Sequence, residues 1–174
     1  MVDLERELRA AQALARDPRY ASDFDFPNDI AGLGYVDIRS GIYQPDEGGE
    51  PAVIVAVETG GELIDLAAVR ISDRATATRI GVATILGEDA VEAALLHDHT
   101  LLVYRDPLHW LQAGCLGVSI LDWKAARWVL AGIPRITCAT PDLETHLDTY
   151  RPRRDLNERH GDRDEQQQPQ RAGE

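Results

Sequence analysis

Apolar residues recur at helical spacing from the start of the chain. In DLERELRAAQALAR (Asp3 to Arg16), Leu4, Leu8, Ala11 and Ala15 are separated by three or four positions, and Pro18 closes the segment. The pattern predicts an amphipathic helix within residues 1–18. Its polar face mixes Glu with Arg rather than being basic, so the helix is expected to pack on the domain and not on a membrane. Residues 19–28 (RYASDFDFPN) lose that period and read as a packed aromatic and acidic loop. Beyond them GYVDIRSGIYQ predicts a short strand or a pair, followed by the turn cluster PDEGGEP. AVIVAVE (Ala52 to Glu58) and ELIDLAAVRI (Glu62 to Ile71) are β-rich runs joined through Gly60 and Gly61, the clearest hairpin in the chain. ISDRATATR then leads to another turn or short strand.

After Gly81 the texture changes. VATIL, GEDAVEAALLHD, TLLVYRDP, LHWLQAG, GVSILDW, KAARWVLAG, IPRITCAT and PDLETHLDTY alternate strand-like with helix-like patterns. Such alternation predicts a parallel sheet with right-handed crossovers. The period does not decide VATIL: residues 82–86 fit a strand or the first turns of a helix running to 96. The fold class expected is α+β. An antiparallel part at about 35–80 and a small parallel α/β half at about 81–150 share one mixed domain, 19–150, behind the N-terminal helix. Residues 151–174 hold a single aliphatic residue other than alanine, Leu156. That composition cannot offset the entropy of ordering, and a disordered tail is expected.

Charge narrows the function classes. Thirty acidic against eighteen basic residues give a formal charge of −12, which argues against a broad nucleic-acid surface, since phosphate contacts need clustered Lys and Arg. Arg151, Arg153 and Arg154 are the densest basic group, and Asp155 and Glu158 follow at once. No apolar run approaches the ~18 residues that span a bilayer. The charged N-terminus lacks an apolar export core, so a cytoplasmic location is expected. Cys115 and Cys138, without CxxC spacing, read as reduced thiols packed in apolar surroundings. The chain has no GxSxG, no Walker-type phosphate loop and no GxGxxG after a strand, so the usual hydrolase, kinase and dehydrogenase parts are missing.

Candidate chemistry rests on carboxylates at strand ends. Asp122 follows the apolar run Val118–Leu121 and precedes a helix, the place where parallel α/β sheets gather ligands. It is equally the place for a helix cap. If VATIL is a strand, Glu88 and Asp89 occupy the next such junction, where they and Asp122 could share a hard divalent cation. As first-turn acids they also suit a helix dipole. His97 and His99 end a helix two residues apart and cannot share its face. His109 and His146 are isolated and read as packing residues. Of the aromatic residues Tyr104, Trp110, Trp123 and Trp128, most are expected in or near the core, and Trp128 lies five positions beyond Trp123, off its helix face.

The order of Glu88 in LGEDAVEAAL, then TLLVYRDPLHWLQAG, then ILDWKAARWVL, then ITCAT with PDLETHL, resembles the Toprim domain of phage and plasmid primase-type proteins. GEPAVIVAVETGGELIDLAAVRIS is similar to the region preceding Toprim in those proteins. The likeness covers roughly residues 50–147 and is one of layout. It implies a Glu after the first strand and an Asp-x-Asp motif after the third, holding magnesium for phosphoryl transfer. Here Asp122 matches the first Asp, and Lys124 takes the place of the second, in DWK. At ~4 Å and an effective dielectric near 20, that exchange is worth several kcal/mol per partner charge. Trp123 adds bulk at the turn, and the Glu-Gly pair is reversed as Gly87-Glu88.

The resemblance therefore implies a degenerate Toprim-like domain: a non-catalytic phage- or prophage-type accessory protein without a cofactor. A protein partner, linked to DNA replication, would be met by Trp110, Trp123 and Lys124. The alternative is a magnesium-dependent phosphoryl-transfer or nuclease enzyme using Glu88 and Asp122 with a third acid such as Asp89. A DNA-mimicking decoy would need its acids arrayed on one face, and they are spread through loops, caps and tail.

Overall fold

The structure, a computed structural model, describes residues 2–19, 27 and 29–150. The tail expected at 151–174, and most of the loop expected at 19–28, lie outside the described residues. Among the described residues the chain is α+β, with five helices, a closed five-stranded barrel and a four-stranded sheet.

The N-terminal helix α1 runs over Leu4–Ala15. Asp3 caps it by accepting from the Arg6 amide at 3.0 Å, a contact that satisfies one of the orphan donors of the first turn. Its apolar stripe lies on β1 (Ala31–Arg39), which starts somewhat earlier than the alternation near residue 35 predicts. The close approach is possible because Gly32 has no side chain: a Cβ there would overlap the backbone of Ala11. The antiparallel core is β3 (Glu50–Thr59) and β4 (Glu62–Arg70), joined by the expected Gly60–Gly61 turn. β2 (Ile42–Pro45) and β5 (Thr76–Thr78) close the barrel in the order β1-β2-β5-β4-β3. The two faces of its strands are buried in different cores: Val53, Val55, Val57, Ala67 and Val69 on one, and Val36, Tyr43, Ile54, Leu66, Ala68 and Ala77, with Ala11 of α1, on the other.

One polar group sits among them. Asp65 on β4 is fully buried, beside a bulge that leaves Ile64 without an opposite residue. Its Oδ1 accepts from the amides of Leu66 (2.8 Å), Arg79 (3.0 Å) and Ile80 (3.0 Å). Its Oδ2 accepts from Val82 (3.0 Å) and Ala83 (3.1 Å). The irregular segment leaving the barrel is thereby bound to one carboxylate, and the chain is aimed at the second sheet.

That sheet has the order β6-β8-β7-β9, from β6 (Ile85–Leu86), β7 (Leu101–Tyr104), β8 (Val118–Ile120) and β9 (Ile136–Cys138). β7, β8 and β9 are parallel, as the alternating pattern predicts. The ambiguous 82–86 segment resolves into the two-residue β6, which pairs antiparallel with β8. One face of the sheet packs on α2 (Glu88–Leu96), α4 (Trp123–Ala131) and α5 (Pro141–Tyr150) through Val91, Ala94, Ala126, Leu130, Leu143 and Leu147. The other face meets the barrel and α3 (Pro107–Gln112), with Leu108, Trp110 and Leu111 in a shared core. No described helix is long and apolar enough to cross a membrane.

Asp65→Asn keeps the shape of the side chain but turns one acceptor into an NH2 group facing backbone donors. Urea unfolding is expected to show a loss of about 2–4 kcal/mol, the scale of hydrogen bonds to a buried charge; an unchanged midpoint would remove Asp65 as the anchor. Tyr43 on β2 is buried, with its hydroxyl pKa pushed up by desolvation and by the nearby Glu7 and Asp65 charges. A raised folded-state value makes the stability it contributes complete below the ordinary tyrosine pKa of about 10 and lost as pH rises beyond it. Thermal melts above that pH are expected to fall steeply in the wild type and less steeply in Tyr43→Phe.

Candidate interaction surface

Asp122 ends the β8 segment in extended geometry and caps α4. Its Oδ1 accepts from the amides of Lys124 (2.8 Å) and Ala125 (3.2 Å). Its own amide donates to the Thr84 carbonyl at 3.1 Å, which ties it to the strand before β6. Because β6 is antiparallel, Ile85 lies opposite Ile120 and Leu86 opposite Ser119, so the chain passes Asp122 before it reaches Glu88. Glu88, two residues beyond Leu86, therefore emerges at the other end of the sheet, past the roughly 10 Å of strand that separate Asp122 from Ser119. The shared edge expected from the sequence does not form.

At that far end, Gly87 is left-handed (φ +82°) and packs where a Cβ would overlap the Gly117 carbonyl. This contact opens α2 against a cleft of about 270 Å³, lined by Glu58, Glu88, Asp89, Trp110 and Cys115 among others. Burial pushes the Cys115 thiol pKa up, with a smaller contribution from the Asp29 charge. The cleft offers acids, yet among the described residues no three of His, Cys, Asp and Glu are grouped to hold a metal ion. Magnesium does not fit the residues present: its expected ligands are apart, one is engaged as a cap, and Lys124 adjoins it.

The residues expected to meet a partner separate as well. Trp110 is only 6% exposed, and its Nε1 donates to the Gly117 carbonyl at 2.9 Å, so it belongs to the core beneath the cleft. Trp123 is half-buried, edge-on to His146 at 4.5 Å between ring centroids and 5.6 Å from Tyr150. It fastens the start of α4 to α5. Lys124 is exposed.

Trp128, left out of the expected set, is 68% exposed, with the Arg127 guanidinium 4.5 Å over its ring. Val129 beside it, and Leu95 and Leu96 at the end of α2, are also large exposed apolar side chains. Leu95 reaches Gly132 at the end of α4, so the two helices form one continuous face. The sequence did carry a signal for it. With Ala126 and Leu130 both turned inward, the position midway between them on α4 must point outward.

As a cap, Asp122 is replaceable by other capping residues. Asp122→Ala is expected to lower stability by about 1 kcal/mol and Asp122→Ser to keep nearly all of it, read from denaturant midpoints. Equal losses in both would mean the carboxylate does something besides capping.

No family model matches this chain, and neither a curated protein nor a solved structure matches it.

Proposed function

We propose that this is a non-catalytic interaction protein: a domain with a Toprim-like layout and without its metal chemistry. Its working surface is the outer face of α4 with the adjoining end of α2. The observation that carries this reading is the antiparallel pairing of β6, which leaves Glu88 and Asp122 at opposite ends of the sheet. Lys124, one residue removed from Asp122 in the first turn of α4, adds a positive charge where a second acid would be required. A surface tryptophan among aliphatic neighbours is the kind of feature that anchors protein contacts, because it buries much area for little lost freedom. The layout likeness to primase-type proteins makes phage or prophage DNA replication, in the cytoplasm, the setting we assign to it. The formal charge of −12 goes with a protein partner in preference to direct contact with nucleic acid.

Calorimetric titration with magnesium and with manganese tests the non-catalytic half of this reading. The expected result is weak, non-saturating heat from ions screening an acidic surface. A saturable site abolished by Asp122→Ala would overturn it in favour of the phosphoryl-transfer alternative.

A further inference from the structure

Of the histidines among the described residues, His109 lies against Asp106, and His146 against Trp123 and Tyr150. The remaining pair, His97 and His99, lie against each other. Both are exposed, with ring centroids 5.8 Å apart and ring planes tilted by 48°. Two residues apart on a helix they would point to different sides. They meet because α2 stops at Leu96 and His97 is its C-cap. Asp98 then takes a left-handed backbone (φ +53°), which Asp tolerates better than most side chains, and the chain turns sharply between the two rings.

The turn is held in that shape from outside. Arg135, just before β9, donates to the Asp98 carbonyl and pairs with the Asp98 carboxylate at 2.9 Å. The Arg135 carbonyl accepts from the Leu101 amide at 2.9 Å, so the chain is tied to one residue on both sides of His99. The Asp98 and Arg135 charges offset each other, which leaves the two imidazoles as the donor groups of the turn. Zinc binds imidazole nitrogen at about 2.0–2.1 Å in a tetrahedral set. With each ring centre about 1.2 Å behind its nitrogen, two imidazoles on one tetrahedral ion stand about 5.3 Å apart, centroid to centroid. Two neighbouring imidazoles on a square-planar ion would stand about 4.6 Å apart. The observed 5.8 Å is close to the first, within reach of a small side-chain rotation, and well outside the second.

We infer that His97 and His99 form a two-imidazole site for a borderline divalent ion, zinc in preference to square-planar copper. No third His, Cys, Asp or Glu among the described residues joins them, so water fills the remaining positions of an exposed, exchangeable ion. The chemistry is opposite to that of the carboxylates at the strand ends: imidazole nitrogen suits zinc, whereas magnesium takes oxygen. The formal charge of −12 raises the local concentration of cations around the chain. Bound there, the ion clamps the cap of α2 to the residues that enter β7, beside exposed Leu95 and Leu96.

Calorimetric titration of the full chain with zinc chloride is expected to show a saturable site, weaker than a structural zinc with four protein ligands. His97→Asn and His99→Asn are each expected to weaken it about tenfold or more, at least the scale seen when a partner of a metal ligand is lost. The double variant His97→Asn/His99→Asn is expected to abolish it. Both side chains are exposed, and far-ultraviolet circular dichroism checks that each variant keeps its fold. Nitrogen-15 NMR of the imidazoles is expected to show zinc shifting one ring nitrogen of His97 and one of His99. The absence of a saturable site overturns the inference, as does zinc held equally well by the double variant, which would place the ion elsewhere. A shift confined to one ring overturns it too, as does displacement of zinc by an equal concentration of magnesium. The two readings fail separately: a chain without the zinc site loses only this inference, whereas a saturable magnesium site at Asp122 sinks only the non-catalytic one.

Discussion

A carboxylate sealed from water is tolerated only when donors replace its hydration shell, and Asp65 has five of them. Four come from residues 79–83, where the Arg79 amide is shared with the Leu66 carbonyl of β4 and those of Ile80, Val82 and Ala83 go to the carboxylate. Each side therefore satisfies a group that burial would otherwise leave unpaired. The consequence reaches beyond the barrel, since these residues carry the chain to β6 and fix where the second sheet begins. Arg79 in the same stretch pairs with Glu7 of α1 at 2.7 Å, and its guanidinium stands 5.9 Å from the Tyr43 ring. The N-terminal helix, the barrel and the linker are held at one place.

From that anchor follows the direction of β6, and from its direction the fate of the acids. A strand of two residues contributes few hydrogen bonds. It does decide which end of the sheet the next helix starts from. Entering antiparallel to β8, it delivers Glu88 to one end of the sheet while Asp122 remains at the other, and the same chemical groups that could share an ion in a parallel arrangement become separate helix-start acids. Gly87 makes the turn possible, because its left-handed backbone lies where any side chain would meet Gly117. The α2 cleft is thus a product of sheet topology, as is the outward position of α4 over the parallel strands.

Most of the architecture was legible along the chain. The α1 stripe, the hairpin through Gly60 and Gly61, the parallel β7–β8–β9 core and the helices after each strand are local patterns. The hydrophobic period that marks them is the cause of their packing. Asp122 as a cap was legible too, since an Asp followed by helix-forming residues needs no distant contact for its oxygen to accept from their amides. Less accessible was the ranking of the tryptophans. Trp110, Trp123 and Trp128 look alike in sequence, and their burial depends on what lies opposite: a glycine carbonyl for the first, α5 for the second and the exposed Arg127 guanidinium for the third.

The sequence by itself determined most of the helices and strands, the charge, and the cap at Asp122, because each of these depends on a residue and its near neighbours. Strand direction, the closure of the barrel, the burial of Asp65 and the separation of Glu88 from Asp122 were decided only in three dimensions. A two-residue strand has too short a pattern to declare its orientation, and a buried carboxylate is stable only once amides fourteen to eighteen residues away have been brought to it.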